Sequence, residues 1–183
     1  MKKLNLFLVL SMTITGAVAL NQTAHADDSK NTNASVVVNP GELKMKTVSD
    51  IQFPNVQING TDQNVDEKEG TTAKVAVEDF RGSSSKGWSL KARLKEGNFN
   101  GLGLKLVPAI NTNKAAAVAA PATQNLNTQE SLVASVPDDK IVGSDFDTEV
   151  QLNAKLNIPA RTKANTYTAT IVWNLAATPE TKP

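Results

Sequence analysis

Trp88, Leu90, Ala92 and Leu94 alternate without a break against Ser89, Lys91, Arg93 and Lys95. A repeat of two is the side-chain period of an extended strand, so this run must carry one apolar and one polar face. The pattern recurs. Leu43, Met45 and Thr47 alternate with Lys44 and Lys46, Val56 and Ile58 with Asn55 and Gln57, and Val75 and Val77 with Lys74 and Glu78. Leu102, Leu104 and Leu106 follow, then Val150, Leu152, Ala154, Leu156 and Ile158, and last Tyr167, Ala169, Ile171, Trp173 and Leu175. Asn39-Pro40-Gly41, Asn59-Gly60, Gly82 to Ser85, Gly97-Asn98 and Pro137-Asp138-Asp139 separate these runs as turns. Seven or so short, half-buried strands with such punctuation predict an all-β fold, an antiparallel β-sandwich of Ig-like style in a single domain.

Residues 1–26 read as a cleaved signal peptide. Lys2 and Lys3 open it, and Leu4 to Leu20 is apolar but interrupted by Ser, Thr and Gly, too broken for a membrane span. Ala24-His25-Ala26 supplies the small-x-small cleavage pattern. Residues 27–34 are expected to be a flexible polar leader and 35–183 the folded domain. Within it, Thr112 to Asn127 is rich in alanine but cut by Pro121 and lacks an amphipathic stripe, which predicts a surface loop with a helical turn at about 112–127.

Composition narrows the chemistry. With 19 Lys+Arg against 18 Asp+Glu there is no field of one sign to attract nucleic acid, so none is expected as a partner. There is no Cys, and the single histidine, His25, leaves with the signal peptide. No Ser-His-Asp triad, Cys-His pair or imidazole zinc site can then be built. Glu78, Asp79, Asp138, Asp139, Asp145, Asp147 and Glu149 are the carboxylates a glycosidase would need, but they fall at turns and strand ends, where acids are ordinarily solvated. The expectation is a protein without catalysis, metal or cofactor.

Two segments carry a resemblance. Asp79-Phe80-Arg81-Gly82 leading to Gly87-Trp88-Ser89-Leu90 matches a D-x-R-G…G-W-x-L pattern, and Tyr167 to Trp173-Asn174-Leu175, with Pro179 after it, matches a closing Y…W-x-L…P pattern. In order and spacing the chain resembles the WxL domain of Gram-positive surface proteins, with Val172 and Asn174 beside the second Trp where that family often has Thr. The resemblance implies a secreted, extracellular protein of the cell surface that binds peptidoglycan non-covalently. It also implies a surface complex with a membrane-anchored companion that interacts with WxL domains, and other WxL proteins or host matrix as further partners. The alternative is a protein–protein module whose main partner is that companion, with adhesion to host or surface ligands. The chain ends at Thr181-Lys182-Pro183 with no apolar tail and no LPxTG-type signal, so attachment is expected to be non-covalent.

Candidate ligand-binding residues are Trp88, Leu90, Trp173, Leu175, Tyr167, Lys91 and Arg93. Asp79, Arg81, Gly82, Gly87 and Pro179 form the structural part of the motifs. W-x-L puts Trp and Leu on one face of a strand. That face carries other apolar residues in both strands, which directs the tryptophans to the core. Sugar rings, however, stack on exposed aromatics, and both readings hold if the motifs lie side by side and line a shallow groove at one end of the sandwich. Lys91, Arg93 and Lys95 form a basic stripe on the opposite face. It reads either as a contact for wall phosphates and carboxylates or as an ordinary solvated surface.

Overall fold

The computed structural model describes residues 30, 32–97, 99–113, 117–138 and 146–177. The chain divides into two units, Met1–Val37 and Val38–Pro183. In the first, the described residues are exposed and form no strand. In the second, the described residues form eleven strands: β1 (Leu43–Val48), β2 (Gln63–Asp66), β3 (Lys74–Asp79), β4 (Trp88–Leu94), β5 (Gly103–Lys105), β6 (Ala109–Asn113), β7 (Val118–Ala119), β8 (Ser131–Val136), β9 (Asp147–Gln151), β10 (Lys155–Ile158) and β11 (Ile171–Ala176). No α-helix occurs among the described residues, and none of their helices is long and apolar enough to cross a membrane.

Every strand pairing is antiparallel, in three sheets ordered β1-β3-β9-β6, β2-β10-β5 and β11-β4-β8-β7. One core joins them. Val75 and Val77 of β3 and Val150 of β9 meet Trp88, Leu90, Ala92 and Leu94 of β4 and Val133 and Val136 of β8. Leu104, Leu106, Leu152 and Leu156 extend that core into the small sheet. The alternating faces thus pack sheet on sheet, the antiparallel sandwich that period-two patterning predicts.

Three expected strands differ. The run from Val150 to Ile158 is not one strand but β9 and β10, which lie in different sheets. The break sits at Asn153, whose φ of 42° is left-handed backbone that asparagine tolerates better than most residues. Its side-chain Nδ2 donates to the Val107 carbonyl at 3.0 Å, and Glu67 accepts from the Ala154 N–H at 3.0 Å, so the bend is held from both sides. The alternation over residues 55–58 forms no strand, because no ladder neighbour lies beside it among the described residues and Pro54 just before it lacks a donor. The last strand begins at Ile171 rather than Tyr167, and Thr168, Ala169 and Thr170 are exposed.

Where a surface loop with a helical turn was expected, at 112–127, the described residues hold β7 and a strip tied down along β5. The Leu126 N–H donates to Leu104 O at 2.7 Å and the Thr123 N–H to Leu106 O at 2.8 Å, while Thr123 Oγ1 accepts from the Leu106 N–H at 2.9 Å. Ala117, Thr123 and Leu126 are buried. Small residues cover the core here with backbone bonds instead of an apolar stripe, which is why periodicity missed the segment.

Candidate functional site

The D-x-R-G segment builds the corner from which the first motif starts. Both Asp79 oxygens are taken up: Oδ1 accepts from the Arg81 N–H at 3.1 Å and Nε at 2.8 Å, and Oδ2 from Arg81 Nη2 and Ser85 Oγ, each at 2.7 Å. Arg81 Nη2 also donates to Gly87 O at 2.8 Å, and its Nη1 to Ala177 O at 3.1 Å. One guanidinium therefore joins the end of β3, the loop, the start of β4 and the exit from β11. The side chains are 15% exposed for Arg81 and 10% for Asp79. Burial pushes the Asp79 carboxyl up, but the hydrogen bonds from Arg81 and Ser85 outweigh it and hold the group below its usual value. Gly82 and Gly87 have φ of 58° and 82°, so a side chain at either would strain the corner. Pro179 lies outside the described residues.

The two W-x-L motifs are neighbours. β11 pairs with β4 so that Leu175 stands opposite Leu90, Trp173 opposite Ala92 and Ile171 opposite Leu94. Directly paired residues share a face, so all six turn toward the core. Their exposure separates them. Trp88 is 1% exposed and Leu90 0%; both belong to the interior, and neither is offered to a ligand. Trp173 and Leu175, on the outermost strand of this sheet, are only half-buried.

Beside Trp173 opens a cleft of about 1100 Å³. Residues 53–58 form one wall and 162–170 the other, and in them the alternation over residues 55–58 and from Tyr167 to Ala169 built no strand. Phe99, Leu102, Leu104, Leu156 and Ile158 line its depth, and Phe53, Tyr167 and Trp173 bring three further aromatic rings. Tyr167 is fixed by its Oη, which donates to Lys163 O at 2.7 Å. The polar lining is mostly amide and hydroxyl, as at Asn55, Gln57, Gln63, Asn165, Thr166 and Thr168, with Asp50 and Lys163 the only carboxylate and ammonium among the described residues. Rings to stack against and neutral groups to donate and accept suit an uncharged, polyhydroxylated or amide-bearing chain. Sequence reasoning named Tyr167 and Trp173 but missed Phe53 and Phe99, which carry no motif and come together only through the fold.

The basic stripe is a separate surface. Lys91 and Arg93 alternate with Leu90, Ala92 and Leu94 and so project from the sheet face opposite Trp173. Lys91 Nζ lies 3.6 Å from Glu130, whose other oxygen accepts from Asn174 Nδ2 at 2.9 Å. The Asn174 amide, then the charge of Lys91, holds the Glu130 carboxyl below its usual value against the effect of burial. Groove and stripe thus do not form one continuous binding face. Among the described residues no group of His, Cys, Asp and Glu is arranged to hold a metal ion.

The molecule is thus an antiparallel sandwich with an open aromatic cleft at its edge strand. Residues 20–179 match the model of the WxL domain, described as a surface, cell wall-binding domain, and the chain belongs to that family. It is accordingly a surface protein that binds the cell wall. No match was found among curated proteins or among solved structures.

Proposed function

We propose that the chain is a secreted, non-catalytic module that holds peptidoglycan in the cleft beside the second W-x-L motif. Trp173 and Tyr167 supply the ring faces, with Leu175 supporting Trp173 from the same strand face. The observation that carries this reading is the cleft itself. It is open, nearly neutral, rich in aromatic rings and bordered by amides and hydroxyls. Trp88, Leu90, Asp79, Arg81, Gly82 and Gly87 serve it indirectly, by fixing β4 and hence the strand that carries Trp173. Signal cleavage after Ala26 and assembly with a membrane-anchored companion complete the proposal.

Sedimentation of the purified protein with purified peptidoglycan tests it. Pelleting without any companion supports direct wall binding. A chain that stays in the supernatant alone and pellets only when the companion is added is instead a protein–protein module. Mass spectrometry of the wall-bound form should find an N-terminus at Asp27, and a retained Lys2–Ala26 segment would contradict the secretion step.

A further inference from the structure

Sheet edges expose unpaired backbone groups, and proteins blunt them with charge, bulges, short length or cover. Five of the six edges here are blunted in these ways. β1 carries Lys44 and Lys46, both ion-paired with Glu78, and a bulge between Met45 and Thr47. β6 has a bulge between Ile110 and Thr112. β2 is four residues ending in Asp66, β7 has two residues, and β5 has three and is covered by the bond from Leu126. Among the described residues β11 has none of these devices: it runs six residues, Ile-Val-Trp-Asn-Leu-Ala, without charge, proline or a break in register.

The direction of its free groups follows from the ladder. The Lys95 N–H donates to Thr170 O at 2.8 Å, which marks that pair as hydrogen-bonded, whereas the Leu94 N–H turns away to Asn127 O. Bonded and non-bonded pairs alternate along an antiparallel ladder, so Val172, Asn174 and Ala176 bond to β4. The N–H and C=O groups of Ile171, Trp173 and Leu175 therefore point outward, and no backbone partner for them occurs among the described residues.

We infer that β11 is a self-pairing edge, along which two copies of this chain join antiparallel about a two-fold axis at Trp173. An isologous contact must be self-complementary. Setting Trp173 opposite Trp173 of the second copy also sets Ile171 opposite Leu175 and Leu175 opposite Ile171. Every outward-pointing group then finds a partner, as three residue pairs of two bonds each. The same register keeps apolar residues on the inner face of both sheets, as a two-residue period requires. It places the two Trp173 rings as a cross-strand pair and brings the two clefts together across the axis. A polymeric ligand would then meet two sites in one particle, with the gain in avidity that linked sites give.

On the outer face, this register puts Val172 of each copy opposite Asn174 of the other. Sedimentation equilibrium should show a wild-type dimer. Val172→Lys with Asn174→Lys sets like charges opposite each other twice and should weaken dimerisation about tenfold or more. Val172→Lys with Asn174→Glu sets opposite charges there and should restore it. Both variants lie on the face away from the cleft, and melting curves check that both remain folded. Trp173 fluorescence gives a second reading, since Trp88 is already buried: its emission should shift to the blue with concentration in wild type and not in the like-charge variant. A wild-type chain still monomeric at about 1 mM, whatever other chains it binds, overturns the inference. So does a folded like-charge variant that dimerises as tightly as wild type.

Discussion

Leu90 and Leu175 stand directly opposite each other across the β4–β11 ladder, so the two W-x-L motifs meet leucine to leucine. Because the strands are antiparallel, the tryptophans are then carried to opposite sides of that contact. Trp88 is placed opposite Val136 on β8, deep in the sheet, and Trp173 opposite Ala92 on the outermost strand. One spelling thus yields two environments. A motif within a central strand is enclosed on both sides, while the same motif at an edge stays open on one.

The difference should show in stability. Trp88→Ala is expected to cost about 3–5 kcal/mol, the range for truncating a large buried aromatic. Trp173→Ala should cost about 1–2 kcal/mol, since a half-exposed ring forfeits less apolar burial. Denaturant unfolding of both variants provides the comparison, and equal losses would be inconsistent with the burial described.

Arg81 predicts a geometric effect distinct from charge. Its planar fork serves Asp79, Ser85, Gly87 and Ala177 together, which a lysine ammonium cannot do. Arg81→Lys should therefore destabilise by about 2–3 kcal/mol, close to the loss in Arg81→Ala. A lysine variant with wild-type stability would mean that only the charge matters at this corner.

The acid limb of stability follows from two carboxylates. Asp79 is held below its usual value as described, and Glu78 is held down by Lys46 and Lys44, against the opposing effect of burial. A carboxylate depressed in the folded state contributes stability that is present above its unfolded pKa and lost as pH falls through the folded one. The melting temperature should accordingly be level through neutral pH and decline below about pH 4. Asp79→Asn should lower the plateau and shallow the decline; an unchanged acid slope in that variant would remove Asp79 from the account.

Much of this was legible in the residues because alternation is a local property. The run from Trp88 to Leu94 shows its inner face directly, and Gly82 and Gly87, which follow Arg81 and bracket the loop, mark a turn there. Other features depend on what lies alongside. Val56 and Ile58 alternate as well as any strand, yet no described neighbour pairs with them, so the segment becomes a cleft wall. The pattern from Val150 to Ile158 runs through Asn153 unaltered, because a bend that changes sheets need not change which side chains are apolar. Phe53 and Phe99 carry no local sign of sharing a cleft with Trp173.

Salt should have little influence on wall binding. Among the described residues the cleft is lined by one carboxylate and one ammonium, and the Lys91–Arg93 stripe faces the other way. Raising ionic strength from about 0.1 M to 1 M shortens the screening length from about 10 Å to about 3 Å, which would weaken a charge-driven contact strongly. Binding that persists through that range, and in Lys91→Glu with Arg93→Glu, is the expected outcome. A steep salt dependence abolished by that double variant would assign recognition to the stripe.

The central claim, that the wall is held in the cleft at the second motif, is tested most directly by pelleting Tyr167→Ala and Trp173→Ala with purified peptidoglycan beside wild type. Tyr167 lies outside the β11 edge, so its loss reads the cleft alone. Each variant should melt as a folded protein and bind about tenfold more weakly or worse, the scale of losing an aromatic anchor. Folded variants that pellet as fully as wild type would contradict it.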